Sequence, residues 1–165
     1  MEPGRAVVVG GSLGGLTVAN LLRDAGWEVS VHERSPRPLD GRGAGIVVHE
    51  ATVRYLLERR DLSLDDVSCP SSWIRHLAPD GSVEHEAPST YRFTAWNTLY
   101  QALLEPMADR YHLGHEVAAV HPQSVELADG RTFDADLIVA ADGFDSTVRR
   151  QFFPHIAPQY SGYVG

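Results

Sequence analysis

A glycine-rich segment between an apolar run and an amphipathic stretch constrains the fold of this chain more than any other feature. Arg5 to Val9 has the near-continuous apolar character of a buried parallel strand. Glycines follow at once, and an apolar stripe with i, i+3 spacing then runs from Leu13 to Ala25. Gly26 stands where a helix commonly ends, and Glu28 to Glu33 resembles a second buried strand. The pattern predicts a βαβ unit.

The glycine segment has the spacing of a dinucleotide-binding loop. Gly10 would permit a tight turn from strand to helix, and Gly15 would let the two elements pack closely. Ser12 replaces the usual middle glycine; it fits if its φ is negative, and its hydroxyl can donate to a phosphate oxygen. Free N–H groups at the helix start suit a pyrophosphate, and Glu33 suits adenosine ribose hydroxyls. A generic glycine turn is the alternative, and FAD and NAD are both compatible with this loop.

The rest of the chain predicts short alternating elements around a proline- and glycine-rich loop at 34–45. The predicted strands are Trp73–Leu77 and Ser82–Ala87, then Glu116–Val120, Val125–Ala128, Arg131–Phe133 and Leu137–Ala141, with the beginning of another at Tyr160–Gly165. The predicted helices are Glu50–Arg60, Asn97–Arg110 with a kink or early end at Pro106, and Asp145–Phe153.

Charge and composition exclude several functional classes. The formal net charge is −8, which argues against sequence-independent binding of nucleic acid. All 14 basic residues are arginine, so the chain has neither a Schiff-base lysine nor a P-loop lysine. No apolar run approaches the roughly 20 residues of a membrane span, and the first residues lack the pattern of a signal peptide. With Cys69 as the single cysteine, we expect a cytoplasmic protein without an intrachain disulfide.

Metal and hydrolase chemistry are not predicted. Eight histidines are present, but they lack tight ligand spacing within a shared element. No G-x-S-x-G segment follows a strand, so a serine hydrolase is not indicated. The sequence therefore predicts no metal ligand, and it leaves the catalytic residues unassigned.

A second motif follows the predicted strand that ends at Ala141. Asp142 and Gly143 come first, then Ser146, then Arg149. A strand-end turn and a helix cap would account for these residues without any ligand. Together with the first loop, however, they resemble the group A flavoprotein monooxygenases, the family of para-hydroxybenzoate hydroxylase. Similar segments cover essentially the whole chain and are most like members that hydroxylate an electron-rich pyridine diol.

The resemblance implies an α/β fold with a Rossmann-like FAD/NAD(P)-binding domain and a small part of a β-sheet substrate domain. Residues 1–165 would be an incomplete, amino-terminal FAD-binding domain, with 70–94 as an excursion into the substrate domain. The implied activity is NAD(P)H-dependent hydroxylation of an aromatic or pyridine ring through a flavin C4a-hydroperoxide, so the expected partners are FAD, NAD(P)H, O₂ and a small aromatic substrate. The candidate cofactor-binding residues are Gly10, Ser12, Leu13, Gly14, Gly15, Glu33, Arg34, Arg42, Asp142, Gly143, Ser146 and Arg149.

Two departures from the family pattern keep other interpretations open. Family members are longer, and their third motif, Gly-Asp followed by alanines and a histidine, has no counterpart here. Arg42 lies one position from where a flavin-contacting arginine often stands. The missing part would belong to a longer chain or a second polypeptide, and a homo-oligomer is also possible. The alternatives are a flavin enzyme with other chemistry, a short FAD-binding partner without turnover, and an NAD dehydrogenase.

Overall fold

The computed structural model describes residues 3–162, which divide into two compact units. Unit 1 holds residues 3–39 and 103–162, and unit 2 holds Asp40–Ala102. In chain order the elements are β1 (Arg5–Val9), α1 (Leu13–Asp24), β2 (Glu28–Glu33), β3 (Gly45–Val47), α2 (Glu50–Arg59), α3 (Leu64–Val67), β4 (Cys69–Pro70), β5 (Trp73–Leu77), β6 (Val83–Pro88), β7 (Arg92–Ala95), α4 (Trp96–Leu104), a 3₁₀ helix (Glu105–Arg110), β8 (Tyr111–Leu113), β9 (Val117–His121), β10 (Ser124–Leu127), β11 (Thr132–Asp134), β12 (Leu137–Ala140) and α5 (Thr147–Phe152).

Unit 1 is built on a parallel sheet with the strand order β12-β1-β2-β8. All three neighbouring pairs run parallel, so the carboxyl ends of the four strands meet at one edge. The predicted βαβ start is confirmed: α1 connects β1 to β2, and the buried apolar residues of β1 make it a central strand. This topology places the glycine segment, the end of β2 and the residues after β12 at the same edge, where nucleotides bind in open α/β sheets.

The core of unit 1 lies between the parallel sheet and a second sheet. The antiparallel strands β9, β10 and β11 form this second sheet, in the order β11-β10-β9. Val7 and Val9 of β1 pack with Val125 and Leu127 of β10 in one buried cluster. Because side chains alternate along a strand, Ala6 and Val8 face the other side of the sheet, and they are buried as well. Each buried valine stabilises the fold by roughly 1.5–3 kcal/mol relative to an exposed one.

Unit 2 contains a small sheet, a hairpin, the helices α2 and α3, and most of α4. The small sheet is antiparallel in the order β3-β7-β4, and β5 pairs with β6 as the predicted hairpin. Val53, Tyr55 and Leu56 are the buried residues of α2. By contrast, every residue of β5 is exposed, including Trp73 and Leu77.

Several predicted boundaries needed correction. The helix predicted over 97–110 ends at Leu104 and continues as a 3₁₀ helix, because Pro106 has no N–H for a continued α-helical ladder. The strand expected from Tyr160 is wrong for 160–162, which are irregular, while 163–165 lie outside the described residues. The short strands β3, β4, β7 and β8 were not predicted, because two to four residues are too few to show a period.

Candidate nucleotide-binding site

The two outer glycines of the loop have the structural roles that their spacing predicted. Gly10 has φ +101°, and a Cβ there would lie 2.3 Å from the carbonyl oxygen of Ala141. A Cβ at Gly15 would lie 1.9 Å from the carbonyl oxygen of Gly10, which is far closer than atoms can approach. Only glycine therefore permits this turn and this packing of α1 on the end of β1.

The residues between these glycines lead into α1, where Ser12 and Leu13 are partly buried and Gly14 is exposed. Ser12 has φ −83° and ψ −172°, the negative φ that a serine needs at this position. Its side chain makes no capping hydrogen bond to the helix. Leu13 and Gly14 form the first helical positions, and a Cβ at Gly14 would meet no atom within 4 Å. Because the first N–H groups of a helix have no intrahelical acceptor, this end presents donors and a positive dipole at the sheet edge.

Glu33 ends β2 and holds the loop through its carboxylate. Its Oε2 accepts a hydrogen bond from Gly11 N at 2.9 Å, and its Oε1 accepts one from Ser35 N at 2.8 Å. The residue is only 8% exposed, so both bonds are largely shielded from water. Arg34 follows with an exposed side chain. A carboxylate oxygen can accept more than one hydrogen bond, so Glu33 retains the capacity to accept from a ligand hydroxyl.

The second motif forms a turn that is stabilised by hydrogen bonds among its own residues. The Asp142 carboxylate accepts hydrogen bonds from Ser146 Oγ at 2.6 Å and from Val148 N at 3.2 Å. Ser146 caps α5 by accepting from Arg149 N at 2.8 Å. Gly143 has φ +74°, which favours glycine. The capping role left open by the sequence is therefore present, and any contact with a ligand would be additional to it.

Arg149 folds back along this turn. Its Nη1 donates to the Phe144 carbonyl oxygen at 2.7 Å. Its Nε is buried and, within residues 3–162, has no hydrogen-bond partner. A buried N–H without an acceptor is costly, so this group marks a place where a polar acceptor would be stabilised.

The structure brings the candidate residues of unit 1 together. A Cβ on Gly10 would lie 2.9 Å from the Asp142 Cα, so the first loop and the second motif touch at the carboxyl edge of β1 and β12. Glu33 joins them through Gly11. Arg42 belongs to unit 2, where its side chain is exposed, and it is described there by itself.

Tyr111 at the start of β8 was not identified from the sequence. Its hydroxyl donates to the Gly11 carbonyl oxygen at 2.9 Å. Since one hundred residues separate the two, only the pairing of β2 with β8 brings them together. The sequence around Tyr111 has no local pattern from which this contact could be predicted.

Three histidines, His32, His112 and His115, cluster beside Glu33, although their spacing in the sequence did not predict a shared site. The His32 and His115 Nδ1 atoms lie 3.0 Å apart, and the ring centroids of His112 and His115 are separated by 5.1 Å. Burial, followed by His115, His112 and Arg131, lowers the pKa of His32 from 6.5 to about 3. Burial, Arg131 and His112 also lower the pKa of His115. We expect His32 and His115 to be neutral near pH 7.

Residues 3–162 show neither a metal-binding cluster nor a membrane-spanning helix. Residues 3–162 contain no group of three histidine, cysteine, aspartate or glutamate side chains arranged to hold a metal ion. Over the same range, no helix combines the length and the apolar character that a membrane crossing requires.

A parallel sheet with a glycine loop, a helix that starts directly after it and an acidic residue at the end of β2 defines a dinucleotide-binding α/β domain. The particular family follows from its sequence profile, described as FAD binding domain, which matches residues 5–156. The chain belongs to this family. The predicted FAD-binding Rossmann-like fold and the predicted family are both confirmed.

Comparison with individual relatives gives the same result. The chain is 41% identical to 2,6-dihydroxypyridine 3-monooxygenase of Paenarthrobacter nicotinovorans, over 97% of its own length and 41% of that protein. It is 37% identical to 3-amino-4-hydroxybenzoate 2-monooxygenase of Streptomyces cremeus, covering 97% of this chain and 44% of the relative. The solved structure of 2,6-dihydroxypyridine-3-hydroxylase from Arthrobacter nicotinovorans superposes with a TM-score of 0.85 at 40% identity, covering 96% of this chain and 41% of that one. The chain thus spans less than half the length of these relatives.

Proposed function

We propose that this chain is the nucleotide-binding part of an FAD-dependent monooxygenase that uses NAD(P)H and O₂ to hydroxylate an electron-rich aromatic or pyridine ring. The observation that carries the proposal is the junction of the two motifs, where Gly10 packs against the backbone of Ala141 and Asp142. Two relatives that match 97% of this chain are named as monooxygenases of a dihydroxypyridine and an aminohydroxybenzoate.

The residues at this junction fit the diphosphate of a dinucleotide. Gly14 is exposed, with open space where a side chain would stand, so a ligand can approach the backbone there. The Ser12 hydroxyl is not used to cap α1, and the Arg149 Nε is a buried donor without a partner in residues 3–162. These donors and the positive end of α1 suit an anionic ligand.

Each candidate residue has a role in the proposal. Ser12, Leu13, Gly14 and the α1 N-terminus would hold the phosphates, and Glu33 with Arg34 would contact the adenosine half. Asp142, Gly143, Ser146 and Arg149 would shape the adjoining wall, and Arg42 is also proposed as a cofactor-binding residue. FAD, when bound, supplies the redox chemistry between NAD(P)H and O₂. The protein contributes binding, orientation and shielding from water.

Residues 70–94 are proposed to be an excursion into the substrate domain. The β5–β6 hairpin supports this, because its residues are almost all exposed and a lone two-stranded hairpin is marginally stable in water. Apolar side chains such as Trp73, Leu77 and Val83, each more than half exposed, are expected to be covered in the complete enzyme.

The test begins with FAD binding by the 165-residue protein, measured by quenching of flavin fluorescence. Saturable binding that ADP displaces is expected. Bleaching of bound flavin by NADH or NADPH then tests the reductant, and oxygen uptake with dihydroxypyridines or hydroxybenzoates tests hydroxylation. Failure to bind FAD or ADP would contradict the proposal for this chain.

A second candidate function is an FAD-binding module without turnover of its own. The observation that favours it is the span of 41–44% of the relatives' lengths. In the same assays it predicts FAD binding with no substrate-dependent oxygen uptake. Product formation by the 165-residue protein would exclude it.

A further inference from the structure

We infer that Tyr111 is a positioning residue for the phosphate-binding loop, acting through the Gly11 peptide; the inference rests on the proposed nucleotide-binding function. The Tyr111 hydroxyl donates to the Gly11 carbonyl oxygen at 2.9 Å. Neither motif contains this tyrosine, and it reaches the loop from the edge strand β8.

Gly11 is held on both sides. Its N–H donates to Glu33 Oε2 at 2.9 Å in a buried hydrogen bond, and its carbonyl oxygen accepts from Tyr111. These two contacts orient the peptide before Gly11 and the peptide after it. We call this arrangement, formed by Glu33, Gly11 and Tyr111, the Gly11 clamp.

The clamp determines where the next N–H points. In a planar trans peptide the C=O and the N–H point in opposite directions. With the Gly11 carbonyl held toward Tyr111, the Ser12 N–H is turned away from it. The Ser12 N–H belongs to the group of donors at the start of α1, which are the donors that bind phosphate in such loops. Tyr111 therefore aligns a phosphate-binding donor without needing to touch the ligand.

Space around Gly11 gives independent support. A Cβ on Gly11 would lie 2.3 Å from the Tyr111 hydroxyl oxygen and 2.5 Å from its Cε2 and Cζ. The φ of Gly11 is not in the positive region, so the need for glycine here is close packing and not backbone conformation. The tyrosine ring thus fills the space under the loop while its hydroxyl holds the carbonyl.

The position of Tyr111 is itself well determined. Tyr111 pairs in parallel register with Val31, and His112 pairs with His32. Val31 and His32 are buried, with 0% and 1% exposure. The pairing of Tyr111 with the buried Val31 therefore fixes the place from which the tyrosine reaches the loop.

The first variant is Tyr111→Phe, which keeps the ring and removes only the hydroxyl. One neutral hydrogen bond lost from the loop should raise the Kd for FAD and for ADP about 2- to 10-fold. Adenosine, which lacks phosphates, should bind with unchanged affinity. Tyr160→Phe is the matched control, since Tyr160 is 78% exposed, and it should alter none of these values.

A second pair of variants separates positioning from general damage. Gly11→Ala should weaken FAD binding more than Tyr111→Phe, because the three atoms nearest to the added methyl all belong to Tyr111. In the double variant with Tyr111→Ala, the ring that the added methyl group would meet is absent. The effects of the two substitutions on the FAD Kd should therefore not be additive. Denaturant midpoints of all variants are measured alongside.

The results distinguish the possible failures. A Tyr111→Phe protein that binds FAD and ADP as the unmodified protein does would overturn the inference, as would an equal loss of adenosine binding. Additive effects of Gly11→Ala and Tyr111→Ala would overturn it too. If the unmodified protein binds neither FAD nor ADP, the proposed function fails first and the inference fails with it.

Discussion

Acidification is expected to destabilise this protein through His32, whose imidazole is 1% exposed. Its Nε2 lies 3.1 Å from Ser30 Oγ, its Nδ1 lies 3.0 Å from His115 Nδ1, and the Phe133 ring packs edge-on against it. None of these neighbours offers a negative charge. Arg131 and the other two histidines oppose protonation further, so the pKa of His32 falls to about 3.

The direction of the effect follows from comparing the folded and unfolded states. In the unfolded chain His32 has a pKa of 6.5 and takes up a proton as the pH falls through that value, whereas the folded state stays neutral down to about 3. Stability is therefore fully present above pH 6.5 and is lost as the pH falls from 6.5 toward 3. The slope is about 1.4 kcal/mol per pH unit, which gives about 2 kcal/mol at pH 5.

The assay is urea denaturation at pH 8, 7, 6 and 5 for the unmodified protein and for His32→Gln. The glutamine keeps polar atoms beside Ser30 and His115 but cannot titrate. Its absolute stability will differ at every pH because of repacking, so the comparison is between slopes. The unmodified protein should lose about 2 kcal/mol more than the variant between pH 8 and pH 5. Parallel curves would refute the reasoning, as would an NMR titration of His32 with a pKa near 6.5.

Other expected outcomes concern the two motifs. Gly15→Ala should lower the unfolding free energy by about 1–3 kcal/mol, because its Cβ would lie 1.9 Å from the Gly10 carbonyl oxygen. Gly14→Ala, with no atom within 4 Å of its Cβ, should leave that energy unchanged or higher in the same denaturation series, and similar losses at both sites would contradict the packing argument. Ser146→Ala should cost about 1 kcal/mol through loss of the α5 cap, measured by the same method, while Ser146→Thr should retain most of it.

Local patterns were sufficient for three of the four strands of the parallel sheet, β12, β1 and β2, and for the helix α1. β1, α1 and β2 were predicted within a residue of their bounds, because buried strands and an amphipathic helix each show a clear period. The β10–β11 turn was also predicted, and Gly130 adopts the positive φ expected in an Asp-Gly hairpin. The ends of the helices were harder to predict than their periodicity. The helix predicted to reach Arg110, for example, changes to a 3₁₀ helix after Leu104, next to Pro106.

The missed contacts have a common physical origin. Tyr111 reaches Gly11, and His112 reaches His32, only because β8 adds to the edge of β2 in one register. That strand has three residues, which is too few for a pattern of alternation to appear in the sequence. A single histidine in a sequence is most simply interpreted as a surface residue. The cluster forms only when the fold brings His115 next to His32, which lies 83 positions earlier.

The motif residues also serve the fold, which bears on how they should be tested. Glu33 binds Gly11 and Ser35, and Asp142 binds Ser146 and Val148, so each carboxylate stabilises its own turn before any ligand is considered. Removing either one would weaken binding by distorting the loop as well as by losing a contact. Affinity loss at these positions is therefore ambiguous. Ser12 has a hydroxyl that makes no capping bond, so Ser12→Ala changes the proposed phosphate contact with little change in the fold. We expect Ser12→Ala to lose FAD and ADP affinity without a shift in the denaturation midpoint. That result would be more direct evidence that the loop binds the phosphates than any substitution of Glu33 or Asp142.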